Sequence, residues 1–129
     1  MNQRHLIWGI AKNTNAYRFV SSGLDLSKDP LNMKGKNNLK HSGFASNIGL
    51  GLKQAENGRG AILLKKRRTM GRFPAKLVAE IPLIKNKRRS IKKVAKIIKR
   101  EKYCKNLKLV AMRKMSGIVR IKKSKAVAK

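Results

Sequence analysis

Residues Ile48 to Arg68 read IGLGLKQAENGRGAILLKKRR, and no other stretch limits the fold of this chain as tightly. Ile48, Leu50 and Leu52 alternate with Gly49, Gly51 and Lys53, the period-two pattern of a strand with one buried face. Glu56-Asn57-Gly58-Arg59-Gly60 is turn chemistry, because Asn-Gly and a second Gly accept positive φ. Ala61 to Leu64 is a short apolar run with the β-branched Ile62, suited to a buried strand. The stretch therefore predicts a β-hairpin. Its second strand leads straight into Lys65, Lys66, Arg67 and Arg68, which places four cations at a fixed position on a rigid support.

What those cations meet follows from the charge of the whole chain. It has 129 residues, a length that suits one domain, and 34 Lys and Arg against 5 Asp and Glu, for a net charge of +29. A compact chain with that self-repulsion calls for a polyanionic partner. The imbalance is uneven: residues 1–58 carry 8 cations and 3 acids, and residues 59–129 carry 26 and 2. At 41% hydrophobic residues and 5% aromatics a core is possible but modest. The single cysteine, Cys104, excludes an internal disulfide and fits a reducing compartment. The apolar run Leu6 to Ala11 is too short for a secretory signal, and nothing approaches the roughly 20 apolar residues of a membrane span.

In chain order, Leu6 to Lys12 is a strand candidate, Asn13-Thr14-Asn15 a turn, and Ala16 to Ser21 a return strand, with Trp8, Tyr17 and Phe19 as core. Ser22 to Leu31 reads as loop, and its Asp25 and Asp29 should point away from nucleic acid. Asn32 to Ser46 is polar and lacks helical periodicity. Its Lys34, Lys36, Asn37, Asn38, Lys40 and His41 are candidate nucleic-acid ligands, lysine for phosphate and asparagine for bases or the ribose hydroxyl. The same composition also suits a solvated loop. Beyond the hairpin lie Arg72, a strand over Ala75 to Ile81 ending at Pro82, and a second basic cluster holding Lys87, Arg88 and Arg89.

The last third is helical. Ser90 can cap a helix whose Ile91, Val94, Ala95 and Ile98 share one face. Asn106 can cap a second, with Leu107, Val110, Ala111, Met115 and Ile118 inward and Arg113, Lys114 and Arg120 elsewhere on its surface. Gly117 costs such a helix about 1 kcal/mol relative to Ala, which close packing would explain. The expected fold is α+β: a small antiparallel β-sheet with hairpins in the N-terminal two-thirds, packed with two C-terminal α-helices. Residues 1–121 form one RNA-binding domain, and residues 122–129 a basic tail disordered unless bound.

Catalysis finds little material. Five acids and two histidines, His5 and His41, show no spacing for a general acid–base pair. Cys104 has no companion for a metal site, and no phosphate-binding glycine loop is present, so no cofactor is expected. The runs Lys65–Arg68 and Lys85–Arg89 also resemble nuclear-localisation signals.

The order of motifs resembles the eukaryotic large-subunit ribosomal protein family numbered twenty-eight. The resemblance rests on HLIWGIAKNTNAYRF, then NMKGKNNLKHSGFASNIGLGL, then GRGAILLKKRR, then REKYCKNLKLVAMRKMSGIVR. It covers residues 5 to about 123 and is carried most by Leu6, Trp8, Lys12 and Asn13, by Asn32, Lys34 and Asn37, and by the basic run that ends the hairpin. The chain departs from the family pattern in Cys104 and in a short C-terminal tail. The resemblance implies a structural part of the cytoplasmic ribosome, not an enzyme, that binds folded ribosomal RNA of the large subunit beside neighbouring ribosomal proteins. It implies nuclear and nucleolar transit during assembly, and neither a membrane nor a small-molecule substrate. The alternatives are a nucleolar ribosome-assembly factor, whose relatives continue into long acidic regions, and a helix-turn-helix-like DNA-binding protein built from Ser90 to Ile121.

Overall fold

The computed structural model describes residues 3–56, 60–67, 72–84, 86–100 and 105–127, with the side chains of 107–119 in the last segment. The first element is a helix, α1 (Gln3–Ala11), where the sequence suggests a strand. A short apolar run fits either, and here the helix end decides. The Asn15 backbone N–H and side-chain Nδ2 both donate to the Ala11 carbonyl, at 3.1 and 3.0 Å, and Thr14 Oγ1 donates to the Ile10 carbonyl at 3.3 Å. The residues read as a turn between strands thus close a helix.

The return strand does form, as β1 (Arg18–Ser21), but it pairs with β2 (Leu24–Ser27), inside the segment read as loop. The register runs from Arg18↔Ser27 to Ser21↔Leu24. Ser22 and Gly23 make the turn, with φ of 50° and 73°, the doubly positive pair that matches strand twist.

The predicted hairpin is present as β3 (Leu50–Gln54) and β4 (Ala61–Lys66). The Lys66 N–H donates to the Gly49 carbonyl and the Ala55 N–H to the Gly60 carbonyl, as an antiparallel pair requires. A third strand, β5 (Val78–Leu83), completes the order β3-β4-β5. It follows a 3-10 turn over Pro74–Lys76, so it starts later than the sequence suggests. It also runs through Pro82, which an edge strand tolerates because one N–H row has no ladder partner.

The chain divides into two compact units, residues 1–51 with 64–79 and residues 52–63 with 80–129, and each strand of the larger sheet contributes to both. In the first unit Met33, Ala45, Leu50 and Leu64 are buried together with the polar Ser27, Asp29, Asn32 and Ser42. Burial of Asp29 is compensated: its Oδ1 accepts the Leu31 N–H at 2.9 Å and its Oδ2 the Gly43 N–H at 2.8 Å. Trp8 is half-buried, its ring 5.9 Å from that of Phe44, while Tyr17 is exposed. The expected aromatic core is therefore absent, and α1 buries no residue.

The second unit holds the apolar core of Leu52, Ala61, Leu63, Leu83, Val94, Ile97, Ile98, Ala111 and Met115. Helices α2 (Lys87–Arg100) and α3 (Lys105–Val127) pack on each other, as expected. Ser90 does not cap α2. It lies one turn inside and is 1% exposed, with its N–H on the Asn86 carbonyl. Asn106 likewise falls in the first turn of α3. A Cβ on Gly117 meets nothing within 4 Å, so close packing does not account for that glycine. Helical geometry continues through residues 122–127, into the segment whose composition reads as a tail.

Candidate nucleic-acid interface

In the first unit the basic loop after β2 is held from within. Asn32 Oδ1 accepts the N–H groups of Lys34 and Gly35 at 3.0 and 2.9 Å, and its Nδ2 donates to the Lys36 carbonyl at 2.8 Å. Gly35 sits at φ 69°, a conformation that glycine accepts without strain. The Ser27 N–H donates to the Gly35 carbonyl at 2.8 Å, which ties the loop to β2. With the backbone fixed, Lys34, Lys36 and Lys40 are exposed.

The asparagines divide. Asn38 is exposed, with Oδ1 on the Lys40 N–H. Asn37 is half-buried and bonded within the chain: its Nδ2 donates to the Lys12 carbonyl and to Asp25 Oδ2, both at 3.0 Å. Asp25 also receives Arg18 Nε at 2.9 Å, and the hydrogen bonds of Arg18 and then Asn37 hold its carboxyl below the usual carboxylate range. Asp25 and Asp29 thus serve the chain itself.

His41 is half-buried, and its Nδ1 is buried without a partner among the described residues. Burial pushes its pKa down, and Lys34, Lys40 and Lys36 push it further. The free protein therefore favours neutral His41 and loses stability as pH falls below about 6.5, where the unfolded chain takes up the proton first. A phosphate among these lysines reverses the field, so RNA is expected to raise the His41 pKa. Ring titration by NMR with and without RNA checks this; an unchanged midpoint removes His41 from the interface.

The basic run at the end of the hairpin is split by function. Lys65 and Lys66 belong to β4 rather than following it, Arg67 is exposed, and Arg68 lies outside the described residues. Lys66 turns inward: its Nζ donates to the carbonyls of Gly43 at 2.8 Å and Ser46 at 2.7 Å. Burial lowers its pKa, and Asp29 offsets part of that. Lys66→Met is expected to destabilise the protein by about 1–3 kcal/mol, since two carbonyls lose a charged donor. Arg67→Ala is expected to leave stability within about 0.5 kcal/mol while weakening RNA binding. Urea melts and RNA titrations on both variants separate the roles; equal melting midpoints for the two would refute this assignment. Arg72 is exposed nearby in the sequence.

In the second unit Lys87, Arg88 and Arg89 are exposed in the first turn of α2, which contains no acid. Cations there oppose the helix dipole, at about 0.3–1 kcal/mol each, unless an anion covers them. Lys92, Lys93, Lys96 and Lys99 are exposed further along α2. On α3 Arg113 is exposed, Lys114 is half-buried with its pKa lowered by burial, and the Arg120 side chain lies outside the described residues. Among the described residues no group of His, Cys, Asp and Glu could hold a metal, and no helix is long and apolar enough to cross a membrane.

Among the described acids Asp29 is buried, while Asp25, Glu56 and Glu80 are exposed. The profile of the ribosomal L28e protein family fits residues 6–121. The chain belongs to the ribosomal L28e family. It is a ribosomal protein, of a non-enzymatic family. The large ribosomal subunit protein eL28 of Schizosaccharomyces pombe is 29% identical over 119 residues, 88% of each chain. That of Dictyostelium discoideum is 50% identical over 40 residues, a local match of 31% of this chain and 30% of that protein.

Within this family member, sequence reading missed the cations that stand over aromatic rings. Lys28 Nζ lies 4.9 Å from the Phe19 centroid and Lys76 Nζ 5.9 Å from that of Phe73. Lysine separated from phenylalanine by three or more residues carries no motif, so only the fold could reveal them.

Proposed function

We propose that this protein is a structural constituent of the large ribosomal subunit that holds folded ribosomal RNA by neutralising its phosphates. The observation that carries the reading is the excess of exposed positive charge. Lys34, Lys36, Lys40, Arg67, Arg72, Lys87, Arg88, Arg89 and Arg113 face outward and far outnumber the exposed acids Asp25, Glu56 and Glu80, of which Asp25 and Glu80 are already paired with Arg18 and Lys53, while Asp29 is buried and bonded to backbone N–H groups. Lys66 and Asn37 position the backbone, and their neighbours touch RNA. Lys65, Arg68, Asn38, His41, Lys114 and Arg120 complete the contact set.

Residues 1–121 act as one RNA-binding domain, a reading supported by the family match over residues 6–121. Residues 122–129 are a basic segment that continues α3 as far as residue 127 and adds phosphate contacts. The protein works in the cytoplasmic ribosome, passes through the nucleolus during assembly, and touches neighbouring ribosomal proteins. A helix-turn-helix role on DNA is disfavoured by the match of residues 6–121 to a ribosomal protein family. Sedimentation is the test. The protein should travel with large subunits and leave them only in high salt; release at low salt, or a footprint on a defined DNA duplex, would overturn the reading.

A further inference from the structure

Phe73 is 58% exposed, an unusual place for a phenylalanine, and the structure presents it on a rigid support. Pro74 opens the 3-10 turn that follows it, which fixes the backbone just beyond the ring. The Lys76 N–H donates to the Phe73 carbonyl at 3.0 Å and the Leu77 N–H to the Pro74 carbonyl at 3.2 Å. The turn is thus closed directly onto Phe73. Two exposed cations flank the ring in sequence, Arg72 and Lys76, and the Lys76 ammonium stands 5.9 Å from its centroid.

The other described aromatics of this unit have less to offer. Trp8 stacks with Phe44, and Phe19 is half-buried. Tyr17 is 44% exposed but lies beside Arg18, which is spent on Asp25.

We propose that Phe73 is a stacking platform for one unpaired nucleobase, with Arg72 and Lys76 holding the phosphates on either side of it. A face of phenylalanine in water gains by stacking on any base, and this requires the base to be out of a helix. The flanking cations favour RNA over an apolar protein segment, which would have to leave them uncompensated. This deepens the RNA-binding reading and rests on it: phosphate contacts alone would hold paired and unpaired RNA alike, whereas the ring distinguishes them.

The test uses the full chain with two probes of one sequence, a single-stranded 12-nucleotide RNA carrying a central 2-aminopurine and its fully paired duplex. Phe73→Leu is expected to lose about tenfold in affinity for the single strand, the low end of the stacking range, with the duplex affinity unchanged. The salt slope of the variant should match the wild type, because no charge has changed. Quenching of the 2-aminopurine by wild-type protein should disappear in Phe73→Leu and return in Phe73→Trp. Circular dichroism should be unchanged in both, since the side chain is exposed. Equal single-strand affinity and quenching in wild type and Phe73→Leu would overturn the proposal. So would reduced retention of Phe73→Leu on large subunits with both RNA probes unaffected, which would assign the ring to a protein contact. Failure of the wild type to bind either probe at low salt would instead remove the parent RNA-binding reading, and this inference with it.

Discussion

Raising monovalent salt from about 0.05 to 0.2 M is expected to weaken RNA binding roughly ten-thousandfold. The candidate interface is made of exposed cations on fixed supports, and each one that meets a phosphate displaces a condensed counterion. With about eight phosphates neutralised, log affinity should fall against log salt with a slope of roughly −6 to −7. Fluorescence anisotropy on ribosomal RNA fragments over this range measures it, and a nearly flat response would end the electrostatic account. The free protein should respond with the opposite sign. A net charge of +29 repels itself, and the Debye length shrinks from about 30 Å at 0.01 M to about 10 Å at 0.1 M. Thermal melts should therefore move upward with salt while RNA affinity falls. A melting point that drops as salt rises in this range would contradict the expectation.

Gly51→Ala is expected to destabilise the protein by about 3 kcal/mol or more, which lowers the melting midpoint by roughly 10 °C. A Cβ built on Gly51 overlaps the Pro30 carbonyl oxygen and lies 2.9 Å from the Pro30 carbonyl carbon. Both atoms are backbone, so no side-chain rotation relieves the clash. The strand would have to leave the segment around Asp29, whose carboxylate organises the buried polar centre of that unit. Gly9→Ala is the control: a Cβ there meets nothing within 4 Å, and in a helix the change should stabilise by up to about 1 kcal/mol. Differential scanning calorimetry on both variants decides, and equal midpoints would mean that β3 approaches Pro30 less closely than the structure has it.

The two strands of the hairpin, β3 and β4, were legible, but β3 does not keep one buried face, since Gly49 and Gly51 are buried with Leu50 and Leu52 while Ile48 is exposed, and the Asn57-Gly58 turn lies outside the described residues. The helix pair was legible because Val94, Ile98, Ala111 and Met115 keep a 3.6-residue rhythm and are buried. Leu6 to Lys12 was not legible: a short apolar-rich run fits a strand or a helix, and the capping bonds of Thr14 and Asn15 choose the helix. The β1–β2 hairpin escaped because Ser22-Gly23 is a weak turn signal and its strands are four residues each. In the basic run, composition could not separate Lys66 from Arg67. Strand alternation and a pair of distant carbonyls turn one inward and leave the other in water. The same limit hid the commitment of Asn32 and Asn37, whose partners depend on how the loop folds back.

Asn32 also bears on the proposed contact with RNA. Many basic ribosomal segments would have to lose conformational freedom at the moment of contact, and that ordering entropy weakens association. Here one buried amide has already fixed the backbone from Lys34 to Lys36, and Ser27 has moored it to a strand. The lysines therefore arrive as a preformed comb of charge with a set spacing. If these lysines meet RNA as proposed, the protein side acts as the template and the adjustment of shape falls to the RNA.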